Sequence, residues 1–145
     1  MGALTEDVHF IQRIEFPAQA ENIALAEKLI DEVCAKYNVP ESLYGNILIA
    51  LTEAVNNAIH HGNGLDPAKK VELGYAAQGD KVSFRVSDEG PGFDHEHLPD
   101  PTDPQNIEKP HGRGVFLMRA LSDAVSFADN GAAVTLTFSL KPVNG

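Results

Sequence analysis

Apolar residues in this chain recur either every second position or every three to four, and the order of the two periods limits the fold to helices layered on a sheet. Positions 8–16 alternate and are rich in branched and aromatic residues, which predicts a strand, suited to a sheet edge, that Pro17 closes. Across 18–37, Ile23, Leu29, Ile30, Val33 and Tyr37 recur at near-helical spacing between charges, so an amphipathic helix should end near Asn38. Pro40 suits a first helical position, and 42–60 carries Ile47, Leu48, Leu51, Val55 and Ile59 on one broad face, a second helix. Alternation returns at 70–76 and 81–87, on either side of Gln78-Gly-Asp80, which reads as a hairpin. A third helix over 115–121 leads into alternating stretches at 124–128 and 133–140 around the turn Asp129-Asn-Gly131. The predicted class is α+β, a two-layer sandwich with a mixed, mostly antiparallel sheet and helices on one face.

Residues 94–110 hold several prolines and aspartates and no usable periodicity, and a loop of that length inside a compact domain predicts a lid at about 94–111. A chain of 145 residues with 43% hydrophobic residues is sized for one domain, spanning 1–145. Cys34 is the single cysteine, so no internal disulfide forms, and its place on the apolar side of the first helix suits a small core residue. The first residues lack a basic stretch followed by a long apolar run, which predicts a cytoplasmic protein. No apolar stretch reaches the roughly 18 residues of a membrane span, so no direct membrane contact is expected. The acidic balance, 21 Asp and Glu against 11 Lys and Arg, gives a net charge of -10 and argues against nucleic-acid binding. The same field repels a free nucleotide. A nucleotide site here therefore needs a cation and oriented backbone N–H groups.

Glu53 and Asn57 lie four apart on the second helix, one turn apart on one face, inside its most apolar stretch. Such a pair opposes packing unless it lines a cleft, although a solvated stripe would explain the two alone. Asp88-Glu-Gly-Pro-Gly-Phe93 follows a predicted strand directly. Gly90 and Gly92 there permit positive φ and close approach of a ligand, and the Asp88 carboxylate can accept a hydrogen bond from an exocyclic amine such as that of adenine. Taken singly, this motif reads equally as an acidic turn. Gly112-Arg-Gly114 opens the third helix across the lid, where free N–H groups and bare glycines suit phosphate oxygens and Arg113 adds charge. A hinge would again explain it alone. His60 and His61 are adjacent and point apart, and His95 and His97 fall in the irregular loop, so neither pair has the i, i+4 spacing of a helical zinc site. No Gly-x-Ser-x-Gly elbow or Gly-x-x-x-x-Gly-Lys loop is present.

In this order and spacing the three segments resemble the N, G1 and G2 boxes of the GHKL ATPase superfamily, over about positions 47–140. The run Glu53-Ala-Val-Asn-Asn57-Ala-Ile-His-His61-Gly62 and the run from Gly112 to Asp123 look most like anti-sigma factor serine/threonine kinases of the SpoIIAB and RsbW type. The resemblance implies ATP and Mg²⁺ as ligands, and as partners a sigma factor and a STAS-type anti-anti-sigma protein whose serine is phosphorylated. By matching position it implies Asn57 as the Mg²⁺ ligand, Glu53 as general base and Asp88 as the adenine contact. Gly90 and Gly92 would pack near the base, Gly112, Arg113 and Gly114 would meet the phosphates, and His61 would face them. It also implies a homodimer. The first strand and first helix match least and are the expected partner surface. Two departures stand out: Ala132-Ala133 replaces the family's usual hydroxyl residues, and there is no phosphoacceptor helical hairpin ahead of the N box, which argues against histidine autophosphorylation. Ala132-Ala133 motivates a second expectation, a nucleotide-gated interaction module without phosphate transfer.

Overall fold

The computed structural model describes residues 10–92 and 112–140. Strand β1 (Gln12–Pro17) leads through a single 3-10 turn into helix α1 (Ile23–Lys36). Its buried residues Ala26, Leu29, Ile30, Val33 and Cys34 form the stripe that the periodicity predicts, and burial raises the Cys34 thiol pKa, with the charge of Asp31 adding to the rise. The helix ends where Asn38 takes φ 53, the left-handed conformation that asparagine tolerates, and Val39 N–H donates back to Cys34 O at 3.0 Å. Pro40, expected inside the next helix, instead precedes it with extended backbone (φ -61, ψ 149), where its missing N–H costs nothing. Helix α2 (Glu41–Asn57) buries Ile47, Ala50, Leu51, Ala54 and Val55. Ile47 and Leu51 are fully buried, each contributing about 1.5–3 kcal/mol from the area it removes from water. The helix then widens into a π turn (Ala58–Gly62), closed by Asn63 N–H donating to Ala58 O at 2.9 Å.

Strands β2 (Lys70–Gln78) and β3 (Lys81–Ser87) form the predicted hairpin, with Gly79 at φ 61 in the turn. Helix α3 (Gly112–Leu121), strand β4 (Ala124–Ala128) and strand β5 (Ala133–Ser139) complete the order. The sheet runs β1-β2-β3-β5-β4, so β1 lies at an edge as expected, and all four pairings are antiparallel where a mixed sheet was allowed for. In-register triplets such as Tyr75, Phe84 and Leu136 send alternate residues into the core beneath the helices. Rings continue across it, Tyr37 to Tyr75 at 6.2 Å, Tyr75 to Phe84 at 6.4 Å and Phe84 to Phe138 at 6.3 Å between centroids. The opposite sheet face carries small polar residues, with Ser83 and Thr137 hydroxyls 2.9 Å apart. No helix among the described residues is long and apolar enough to cross a membrane. The predicted lid, with His95 and His97, lies outside the described residues.

Candidate functional site

The end of α2 and its π turn, the loop after β3, Met118 of α3, Phe127 of β4 and the turn before β5 meet around one cleft. Its walls are apolar, from Ala54, Val86, Met118, Phe127 and Val134, and its polar groups are Asn57, His61 and Asp88. A cleft with apolar walls and a few convergent polar groups suits a flat aromatic ligand oriented by a small number of hydrogen bonds. Of the residues that the sequence places in the site, Asn57, His61, Asp88 and Gly92 line the cleft, whereas Glu53, Gly90, Arg113 and Gly114 do not.

Asp88 is held at the strand end by two bonds. Its N–H donates to Ala132 O at 3.0 Å, and its Oδ1 accepts the Gly90 N–H at 2.8 Å. Burial pushes the Asp88 pKa above the usual carboxylate range, against the smaller lowering effects of the Gly90 bond and of Lys69. Among the described residues its carboxylate accepts the Gly90 N–H alone, which leaves the second oxygen suited to an N–H donor. Gly92 takes φ 83, as its expected freedom requires. Gly90 does not take the left-handed conformation, and its bareness serves a different contact: a Cβ there would run into the carbonyl oxygen of Gly62.

Gly62 is the site residue that sequence reasoning underrated. A Cβ on Gly62 would overlap the Asp88 carboxylate, so only a bare residue lets the π turn meet the β3 loop. Gly62→Ala is expected to displace Asp88, costing about 1–3 kcal/mol of stability as an overpacked contact and weakening ligand binding in the cleft. Thermal melts and ligand titration check this, and unchanged values in both would refute the contact.

Gly114 joins α3 to α2. A Cβ built on it would stand 2.9 Å from Asn57 Nδ2 and 3.2 Å from Glu53 Oε1, so the first turn of α3 rests on both side chains of α2. Gly112 starts that helix and Arg113 is exposed. Asn57 Nδ2 is buried without a hydrogen-bond partner among the described residues. Turning the amide end for end exchanges it for Oδ1, a hard oxygen of the kind Mg²⁺ takes, so the residue fits a magnesium ligand. Burial first, and the neighbouring His60 second, lower the His61 pKa, so at neutral pH its imidazole offers hydrogen bonds rather than charge.

Asn63 was also missed, because in Gly62-Asn-Gly it reads as a turn former, yet it is only 3% exposed. Ala132 lines the cleft where the resemblance leads one to expect a hydroxyl.

A family model described as "Histidine kinase-like ATPase domain" matches residues 16–138. The serine-protein kinase RsbW of Oceanobacillus iheyensis is 25% identical over 118 residues, which is 77% of this chain and 75% of that protein. RsbW of Staphylococcus epidermidis is 27% identical over 140 residues, 88% of this chain and 86% of that protein. Among solved structures, the RsbU and RsbW domains of Rv1364c from Mycobacterium tuberculosis share the fold, with a TM-score of 0.57 and 20% identity. That match covers 90% of this chain and 33% of the solved chain, so this chain spans about a third of it.

Proposed function

Because the chain belongs to the histidine kinase-like ATPase domain family, we propose that it binds Mg-ATP in the cleft and acts as an anti-sigma factor that phosphorylates a serine or threonine of a STAS-type anti-anti-sigma partner. The observation that carries this reading is the meeting of α2 and α3 at Gly114, which sets a carboxylate, Glu53, beside the buried amide of Asn57 at a helix N-terminus. Adenine enters the apolar cleft and its amino group donates to Asp88. The phosphates lie toward Asn57, His61 and the N–H groups at Gly112, Arg113 and Gly114. Asn57 would hold a Mg²⁺ that supplies the neutralisation of phosphate charge made necessary by the net charge of -10. The acceptor hydroxyl oxygen bonds to the γ-phosphorus, the bond to the ADP oxygen breaks, and Glu53 takes the hydroxyl proton. A second copy of the chain completes a homodimer.

Incubation with Mg-[γ-³²P]ATP and an anti-anti-sigma protein from a neighbouring gene should label one serine or threonine of that protein. ATP binding without label on any such partner would refute the kinase activity. It would favour the second reading, for which Ala132 in the cleft speaks: a nucleotide-gated interaction module whose partner binding needs ATP but survives Glu53→Ala.

A further inference from the structure

Asn63 is buried and takes no part in the chemistry described above, yet its side chain ties the end of the π turn to the start of β2 and to the loop after β3 that carries Asp88. Its Nδ2 donates to Lys70 O at 2.9 Å, where β2 begins, and its Oδ1 accepts the Glu89 N–H at 2.8 Å. Asn63's two partners are themselves joined, since the Glu89 side-chain Oε2 accepts the Lys70 N–H at 2.5 Å. Asn63's own N–H closes the π turn. One residue therefore fixes the turn carrying His61 and Gly62 against the loop carrying Asp88 and Gly90.

The fixed spacing is narrow. Gly62 and Asp88 touch with no side chain to spare between them, and so do Gly90 and Gly62. Both ends of the Asn63–Glu89 bond are adjacent in sequence to a residue in that contact: Gly62 precedes Asn63, and Asp88 precedes Glu89. We propose that Asn63 is a positioning residue for purine selection, holding Asp88 at the height where its free carboxylate oxygen accepts a 6-amino group and repels a 6-oxo group. The proposal rests on the nucleotide reading above. Hydrogen bonds discriminate only over a few tenths of an ångström, whereas of the proposed phosphate contacts only His61 sits on the turn that Asn63 ties, and Asn57 and the α3 N-terminus make no bond to the Asn63 side chain. Removing the tie should therefore relax selection between bases more than it weakens binding of the triphosphate.

The test compares Mg-ATP with Mg-ITP, which carries an oxygen in place of the amino group, by equilibrium titration of wild type, Asn63→Leu and Ser83→Ala. Leu keeps the branched outline and heavy-atom count of the Asn63 side chain and removes both of its bonds, and Ser83→Ala breaks the far-face bond to Thr137 as a control for stability alone. The ATP-to-ITP affinity ratio should fall about tenfold in Asn63→Leu and stay at the wild-type value in Ser83→Ala. A ratio unmoved in Asn63→Leu, with a lower melting temperature only, overturns the proposal. Should Asn63→Leu not fold, Asn63→Ala takes its place in the comparison, and an unmoved ratio there overturns the proposal equally. Wild type that binds neither nucleotide overturns the nucleotide reading itself, which separates that failure from a failure of Asn63.

Discussion

Glu53→Gln is expected to slow phosphoryl transfer to the partner by about 10²- to 10⁴-fold, the usual contribution of a general base, while Mg-ATP affinity is kept or slightly improved. The amide keeps the shape of the carboxylate and its fit under Gly114, so the junction of α2 and α3 has no reason to move. It cannot accept the hydroxyl proton. Affinity holds because the adenine contact at Asp88 and the amide of Asn57 are untouched, and because removing a negative charge beside the phosphates lessens repulsion. Single-turnover labelling of the partner, together with a nucleotide titration, separates the two effects. A variant that transfers phosphate at the wild-type rate would show that Glu53 is not the base. A variant that no longer binds ATP would show that Glu53 is part of the binding site instead.

Much of this geometry was readable in the order of residues because its cause is local. The apolar stripe of α2 and the alternation of β4 and β5 follow from side chains that must face one way, and periodicity reports that directly. The π turn at Ala58–Gly62 was not readable, since a shift from i−4 to i−5 bonding changes no residue type. Gly114 was legible as a helix start but not as a contact; its missing side chain answers to Asn57 and Glu53, which lie over fifty residues earlier in the chain. The same holds for Gly62, bare because it meets the Asp88 carboxylate, and for Gly90, bare because it meets the Gly62 carbonyl. Met118, Phe127 and Val134 read as core and also wall the cleft, and a residue that does both looks apolar in either role. Gly92, by contrast, was predicted for the right reason, a positive φ that the chain adopts locally.

Asp88→Asn is expected to lower ATP affinity about 100-fold while raising the melting temperature of the protein without nucleotide. The two effects share one cause, a carboxylate placed where burial disfavours its charge. A carboxyl group whose folded pKa lies above its unfolded value stabilises the fold only at low pH, and that contribution is lost as pH rises through the folded value. At neutral pH the ionised Asp88 is therefore a cost to the empty protein, which the neutral amide removes. The Asn oxygen can keep the Gly90 N–H bond, but the remaining position becomes an NH₂ group. Facing the adenine amino group, it sets donor against donor, whereas facing the 6-oxo group of ITP it makes a bond. Relative preference should swing toward ITP. In wild type, acid should weaken ATP binding from a pH above that set by an ordinary carboxyl, because protonated Asp88 no longer accepts from the base. Titrations between about pH 4 and 7 should reveal this acid limb in wild type and its absence in the variant. Equal ATP affinity in both proteins across that range would mean that Asp88 does not read the base.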